Sequence, residues 1–342
     1  MGIIRRSIGL LAVATVVTAC GTGSAGTIGP AKVLRLGYFA NVTHAGPLFG
    51  VATGLYQAKL GTTKLKTQTF NAGPAAIEAL FAGAIDAAYV GPGPALNAFL
   101  KSRGGVVIVA GATSGGTSLV VKPGITADTL KGKKIGDPQT GGTQDIALRT
   151  YLASKGLKVD KNGDGDVKVQ SEDNSQSLDL FTSGAIDGAW VPEPWASRLV
   201  LEGGGTVLVD EKSLWPQGKF VTTNLVVRKE FLAQHPQTIK ELIEAQVEAD
   251  KDITTAPGKA QATVNDALKA LTGKSLKPDV LARAFAQIEV TEDPLASTLK
   301  VEAQHAFDAG LLKKGDLKGI YDLTLLRQVL GTTVDDAGLG KG

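Results

Sequence analysis

The sequence predicts an α/β protein of two lobes joined by two extended crossings, and three observations carry that expectation. Short apolar runs that read as strands alternate with helix-like stretches from Val33 to Glu211, the order that builds a parallel or mixed sheet covered on both faces. One phrase occurs twice, FAGAIDAAYVGPGPA at 81–95 and FTSGAIDGAWVPEPWA at 181–196. Two further near-copies, TSLVVK at 117–122 and TNLVVR at 223–228, bracket the second of these phrases. A length of 342 residues is enough for two cores.

The elements follow in order. VLRLGYF (33–39), KLKTQTF (64–70), AIDAAYVG (84–91) and VVIVAGA (106–112) read as short buried strands. Between them, residues 47–61, 73–83 and 92–103 read as helices, with prolines at their starts and glycines at their ends. A second series repeats the scheme: strands at 133–138, 166–171, 185–191 and 206–211, helices at 143–156, 175–184 and 193–203. TSLVVK and TNLVVR are expected to be the two extended segments of a two-strand hinge bracketing the second lobe. Lobe 1 is then 32–116 plus 224–342, and lobe 2 is 117–223 with the hinge strands. Helices at 231–253, 262–273, 278–288, 293–312 and 323–331 are expected to cover lobe 1.

The amino terminus is a separate unit. Arg5 and Arg6 precede an apolar run, 8–17, too short to span a bilayer, and VTAC follows at 17–20. A small residue before a cysteine at this place resembles the lipobox of bacterial lipoproteins. It predicts a signal peptide over 1–19, lipid attachment at Cys20 and a flexible tether over 20–31. Cys20 is the only cysteine, which excludes an intrachain disulfide and a cysteine metal cluster. Removing 1–19 lowers the net charge from +3 to +1. A near-neutral body argues against nucleic acid or a polybasic membrane surface as partner.

Ligands of such sheets sit beyond the carboxyl ends of the strands. That rule selects NVTHAG (41–46), NAGP (71–74), GPGP (91–94), TSGGTS (113–118), QTGGTQ (139–144), EDNS (172–175) and PEPW (192–195). These loops are rich in Gly, Ser, Thr and Asn and hold no Arg or Lys. Glycine allows close backbone approach and a helix start offers unpaired N–H groups, so a small oxyanion held by neutral donors is the chemistry they suit. Thr143 is placed to cap a helix, and Asn41, Thr43 and His44 precede another. His44 is either a ligand contact or a loop hydrogen bonder. Trp195 could wall an apolar tail; Glu193 suits an ammonium group or caps its own helix. Tyr89 and Trp190, at mid-strand, read as core.

DKNGDGD (160–166) fits the first half of a calcium loop, but its twelfth position is Ser171 and Glu172 stands one place late, so a solvated loop is expected. There is no G-x-S-x-G elbow, no P-loop and no G-x-G-x-x-G after the first strand. His44, His235 and His305 lack metal-ligand spacing. No enzyme activity, metal or cofactor is expected.

LRLGYFANVTHAGPLFGVATGLY (34–56), FNAGPAAIEALFAGAIDAAYVGPGPA (70–95), LKGKKIGDPQTGGTQD (130–145) and SGAIDGAWVPEPWA (183–196) resemble the nitrate/sulfonate/taurine-type solute-binding proteins of bacterial ABC importers. The resemblance covers roughly 32–330. It implies a two-lobed periplasmic-binding fold of type II character, a monomer lipid-anchored on the extracytoplasmic face, that closes on a small anionic solute and delivers it to ABC permease subunits. By motif position the cleft would include Asn41, Thr43, His44, Gly73, Pro74, Gly91, Pro92, Thr113, Ser114, Gly142, Thr143, Glu193 and Trp195. An aliphatic sulfonate or taurine is the ligand the resemblance favours, with nitrate, bicarbonate or a thiamine-pyrimidine precursor as alternatives. The TGGTQ loop departs from the serine-bearing version of many relatives, which leaves the ligand open. An enzyme on the same fold, such as a pyrimidine-precursor synthase, would use a cysteine-rich iron motif that a single cysteine cannot supply.

Overall fold

Alternating apolar periodicity places the first strand where expected: β1 runs Val33–Phe39 in the computed structural model, which describes residues 29–341. The expected signal peptide and Cys20 lie outside the described residues. After β1 come α1 (Ala45–Ala52) and α2 (Leu55–Lys59), expected as one helix but divided at Gly54, whose φ of 75° only glycine adopts freely. β2 (Lys64–Phe70), α3 (Gly73–Phe81), β3 (Ala87–Val90), α4 (Pro92–Ser102) and β4 (Val106–Gly115) complete the first series.

The second series is β5 (Thr117–Val121), β6 (Lys134–Asp137), α5 (Thr143–Ser154), β7 (Lys168–Ser171), α6 (Asn174–Ser183), β8 (Gly188–Pro192), α7 (Trp195–Leu201) and β9 (Thr206–Asp210). The chain then returns through β10 (Val221–Arg228), α8 (Lys229–Gln234), α9 (Pro236–Thr255), α10 (Pro257–Thr272), α11 (Pro278–Ala286), β11 (Ile288–Val290), α12 (Ala296–Asp308) and α13 (Thr324–Leu330). α8 and α9 were expected as one helix; Pro236, which has no N–H to donate, starts a new one.

Two sheets result, ordered β11-β4-β10-β3-β1-β2 and β7-β6-β8-β5-β9. In the first, β1 lies parallel to β2 and β3, while β10 runs antiparallel between β3 and β4. In the second, β6 lies parallel to β7 and β8, while β5 runs antiparallel between β8 and β9. The wiring is the same, with β5 and β10 in equivalent places.

The same wiring locates TSLVVK and TNLVVR. They do not pair with each other. Each is the strand by which the chain enters a sheet from the other lobe, so the two near-copies fill the same antiparallel slot in different sheets. The crossings themselves are at Gly115–Thr117 and just before Val221, held side by side where the Gly115 N–H donates to Phe220 O at 3.3 Å and Thr222 Oγ1 donates to Gly115 O at 2.5 Å.

The repeated GAID phrase is likewise structural. Gly83 and Gly184 end α3 and α6 at φ of 67° and 83°. Asp86 then accepts the Arg35 N–H at 2.9 Å and Asp187 the Lys134 N–H at 2.8 Å, each aspartate capping the start of the neighbouring strand. In return the Asp86 and Asp187 N–H groups donate to Arg35 O and Lys134 O, both at 2.8 Å.

Each sheet carries apolar side chains on both faces. In lobe 2, Leu119, Ile135, Leu148 and Trp190 fill one face while Val120, Phe181, Val191 and Leu199 fill the other, as the two-residue strand period requires. The first sheet holds the larger core, extended by α9, α10 and α13. The carboxy-terminal helices are not confined to lobe 1: α11 touches α7 and α12 touches α5.

Candidate functional site

The carboxyl ends of β1, β2, β3, β6, β7 and β8 face one another, and a cavity of about 30 Å3 lies between them. It is lined by Asn41, Thr43 and His44 after β1, Asn71 and Gly73 after β2, Gly91 after β3, Gln139, Thr143 and Gln144 after β6, and Asn174 after β7. Phe39, Pro94, Pro138, Pro192, Thr222 and Thr223 close it. No Lys, Arg, Asp or Glu is among the lining residues.

Four helices begin at this cavity without a side-chain cap. The N-cap positions of α3, α4 and α5 are Ala72, Gly91 and Gly142, which have no side-chain acceptor, and Asp173 at α6 makes no capping bond. First-turn N–H groups have no partner inside a helix. At α3 and α5 they are therefore left for a guest, and their dipoles favour an anionic one. α4 differs: Pro92 and Pro94 carry no N–H, and Gly93 donates its own to Thr143 Oγ1 at 3.3 Å. GPGP supplies close approach rather than donors. A Cβ on Gly91 would stand 2.2 Å from Thr143 Oγ1.

His44 is buried, which holds its imidazole down to about pKa 3 and so neutral. Its Nδ1 faces the Phe39 N–H at 3.3 Å and accepts it, which leaves the proton on Nε2 as a neutral donor. Asn174 keeps a buried carboxamide oxygen without a protein partner. Such groups are rare in folded proteins and are usually satisfied by something bound.

The sequence-selected residues divide. Asn41, Thr43, His44, Gly73, Gly91, Gly142 and Thr143 come together around the cavity; Pro74, Pro92, Thr113, Ser114, Glu193 and Trp195 do not line it. Thr143 is the first residue of α5 rather than its cap, and its hydroxyl bridges the lobes. Thr113 Oγ1 donates to Thr43 O at 2.7 Å, supporting the Asn41–His44 turn from behind. Glu193 accepts the Ser197 N–H, in the first turn of α7, at 3.1 Å. Burial, opposed by Ser197, pushes its carboxyl up to about 7. Trp195 Nε1 donates to Asn41 Oδ1 at 2.8 Å, closing the lobes beside the cavity. Tyr89 and Trp190 are core: Tyr89 bonds Tyr56 and Gln246, and Trp190 donates to Glu211 at 2.8 Å.

Thr222 and Thr223 escaped sequence reading because their strand looked like hinge. Gln139, Gln144, Asn71 and Asn174 belong to loops the reading selected, but nothing local set them apart from their neighbours. The Asp160 loop closes on itself: Asp160 Oδ1 accepts the Asn162 and Asp164 N–H groups at 2.8 and 2.9 Å. Among the described residues no group of three or more His, Cys, Asp or Glu is placed to hold a metal.

The pattern of uncapped helices around an uncharged cage accompanies a match to known sequences. The model of the NMT1-like family matches residues 29–267. The chain belongs to the NMT1-like family. This NMT1-like protein is 33% identical over 192 residues to a Brucella abortus protein that carries a provisional binding-protein name, covering 56% of this chain and 57% of the relative. It is 27% identical over 203 residues to the taurine-binding periplasmic protein of Escherichia coli, covering 58% of this chain and 61% of the relative. The matches thus span about three fifths of these relatives' length. Among solved structures, the periplasmic nitrate-binding protein of Synechocystis superposes with a TM-score of 0.76 at 17% identity, over 88% of this chain and 89% of the other. The alkanesulfonate-binding protein of Xanthomonas axonopodis, bound to MOPS, does so at 0.69 and 22% identity, over 83% and 95%. At these identities the structures establish the two-lobed periplasmic-binding fold.

Proposed function

We propose that this NMT1-like protein is the extracytoplasmic solute-binding component of an ABC importer and captures a small organic anion, an aliphatic sulfonate or taurine, by lobe closure. The uncharged cage carries this reading: Thr43, His44 and Gln144 line it, the His44 imidazole is neutral with its proton on Nε2, and α3 and α5 begin at it without a side-chain cap, so the space holds no competing charge. Hydrogen bonds to a charged oxygen are worth roughly 1.5–3 kcal/mol, more than those to neutral groups, and exclusion of water strengthens them. The taurine-binding name of one relative and the alkanesulfonate-binding name of a structural neighbour support the same ligand class. The crossings at Gly115–Gly116 and Phe220–Val221 act as the hinge.

A second reading rests on size. About 30 Å3 is room for little more than two waters, which suits nitrate or bicarbonate without any tail. Glu193 and Trp195 serve closure in either case. The protein acts without catalysis, metal or cofactor, as a monomer, anchored to the membrane through Cys20, with permease subunits rather than nucleic acid as partners.

A thermal-shift screen of residues 21–342 against taurine, alkanesulfonates, nitrate, bicarbonate and pyrimidines separates the readings. Ligand at a hundred times its dissociation constant adds about 2.7 kcal/mol of stability. Stabilisation by sulfonates supports the first reading; stabilisation by nitrate or bicarbonate alone replaces it with the second. Cys20→Ala releases the full chain from the membrane fraction if the anchor is as proposed.

A further inference from the structure

The chain carries a net charge of only +3, but its cations are not evenly spread. They gather at the end of lobe 1 away from the cage, where β1 and β4 begin. Lys101 and Arg103 close α4, Lys229 opens α8, and Lys313, Lys314 and Lys318 belong to the loop after α12. Packing brings these segments together. The Lys229 N–H donates to Gly105 O at 2.8 Å, and Gly315 lies so close to α4 that a Cβ there would stand 2.6 Å from Leu100 Cδ2. Lys229, Lys318 and Lys341 line one open hollow of about 390 Å3 beside Val107. Lys101, Arg103, Lys229, Lys313, Lys314 and Lys318 are all exposed, and none of them forms a salt bridge among the described residues. The carboxylates nearby are engaged: Asp322 by Lys341, Glu230 by Arg228 at 3.7 Å, and Asp316 by the Lys318 N–H at 2.9 Å.

The amino-terminal segment joins the body beside this same end. The Gly29 N–H donates to Gln234 O at 3.4 Å, and His235 Nδ1 stands 2.8 Å from Gly29 O. Both contacts lie at the carboxyl end of α8, the six-residue helix that Lys229 begins, so its rise separates them from Lys229 by about 8 Å. Back from Gly29 to Cys20 the chain can reach about 30 Å at most.

Resting for its geometry on the lipid-anchored reading, we infer that this basic end of lobe 1 is a membrane-docking surface for the headgroups of anionic phospholipids. Six exposed cations without a carboxylate partner match a layer of phosphates. Each Lys or Arg beside an anionic bilayer improves partition about fivefold, and salt screens the gain. A tether of about 30 Å keeps the surface at high effective concentration, so weak contacts are enough. The cage lies at the opposite ends of β1 and β3, so the docked chain holds its ligand site away from the bilayer.

The test is co-sedimentation of residues 21–342 with phosphatidylglycerol and phosphatidylcholine vesicles at about 20 and about 500 mM salt. The chain is expected to bind the phosphatidylglycerol vesicles at low salt, to leave them at high salt, and to ignore phosphatidylcholine. Lys229→Gln, Lys313→Gln and Lys318→Gln together should weaken binding about a hundredfold. Lys155→Gln, Lys158→Gln and Lys161→Gln, exposed on lobe 2, change the net charge equally and should cost far less. No binding to anionic vesicles, or an equal loss in the two triple variants, overturns the docking surface. The chain tested lacks Cys20, so that failure leaves the anchor standing. Absence of lipid on Cys20 of the full chain, read by mass, strikes the anchor and leaves the vesicle result intact.

Discussion

Gly91→Ala places one methyl group at the boundary between the lobes. Gly91 has φ −69° and ψ 163°, a conformation alanine adopts without strain, so lobe 1 can fold as before. In the closed molecule the new Cβ would stand 2.2 Å from Thr143 Oγ1 and 3.1 Å from Thr143 Cβ, against an ordinary contact of 3.4 Å or more. The overlap with the hydroxyl is thus about 1.2 Å. Rotating the threonine does not remove it, because its Cβ is also too near and Thr222 O stands 3.3 Å away on the other side. Overpacking of this kind costs about 1–3 kcal/mol. Because the cost arises only on closure, it enters the binding constant: affinity weakens about 5- to 150-fold by calorimetry. Small-angle scattering should show a ligand-saturated variant more open than the wild type. Thr143→Ala in the same chain removes the worst contact, so the double variant should lose less than the sum of the two single losses. Wild-type affinity in Gly91→Ala, or strictly additive losses in the pair, would refute closure of α4 onto α5.

Four further outcomes follow from the same geometry. His44→Phe should lower ligand affinity by about tenfold through loss of the Nε2 donor. In the wild type, burial keeps His44 neutral, so its ring resonances should show no titration step between pH 5 and 8; a step near 6.5 would contradict this. Burial raises the Glu193 carboxyl from its usual 4.5 to about 7. The folded state then holds a proton that the unfolded state has lost between those values, so Glu193 contributes stability at low pH that is lost as the pH rises from 4.5 through 7. Glu193→Gln, which can still accept the Ser197 N–H, should remove that loss, roughly 3 kcal/mol at most, from the difference between melts at pH 5 and pH 8. Gly116→Ala meets both a φ of 78° and Ile288 Cγ2 at 2.5 Å. It should cost at least 1–2 kcal/mol, read as a lower melting temperature, and an unchanged melt would mean that the crossing is not held as observed.

Local pattern alone determined much here. Strand and helix order could be read because a buried strand writes apolar residues at one period and a helix at another, and both signals lie within ten residues. The GAID phrase was legible for the same reason: glycine stop, isoleucine into the core and aspartate onto the next strand are neighbours in sequence. The rule about strand ends is also local, and it selects loops whose Asn41, His44, Gly73, Gly91 and Thr143 line one cavity.

Tertiary structure decided the rest. TSLVVK and TNLVVR have the same local pattern whichever sheet they enter; the choice depends on partner strands, from Val121 with Gly188 to Val227 with Ala87, that no local window contains. Glu193 offered an acceptor to ligand and helix equally, and only the turn into α7 gave it to Ser197. Trp195 became a latch because Asn41, 154 residues distant, stands within 2.8 Å when the lobes meet. A cleft between two lobes is built from pairs that share no local signal, so chain composition can supply its chemistry while only packing fixes which groups face the guest.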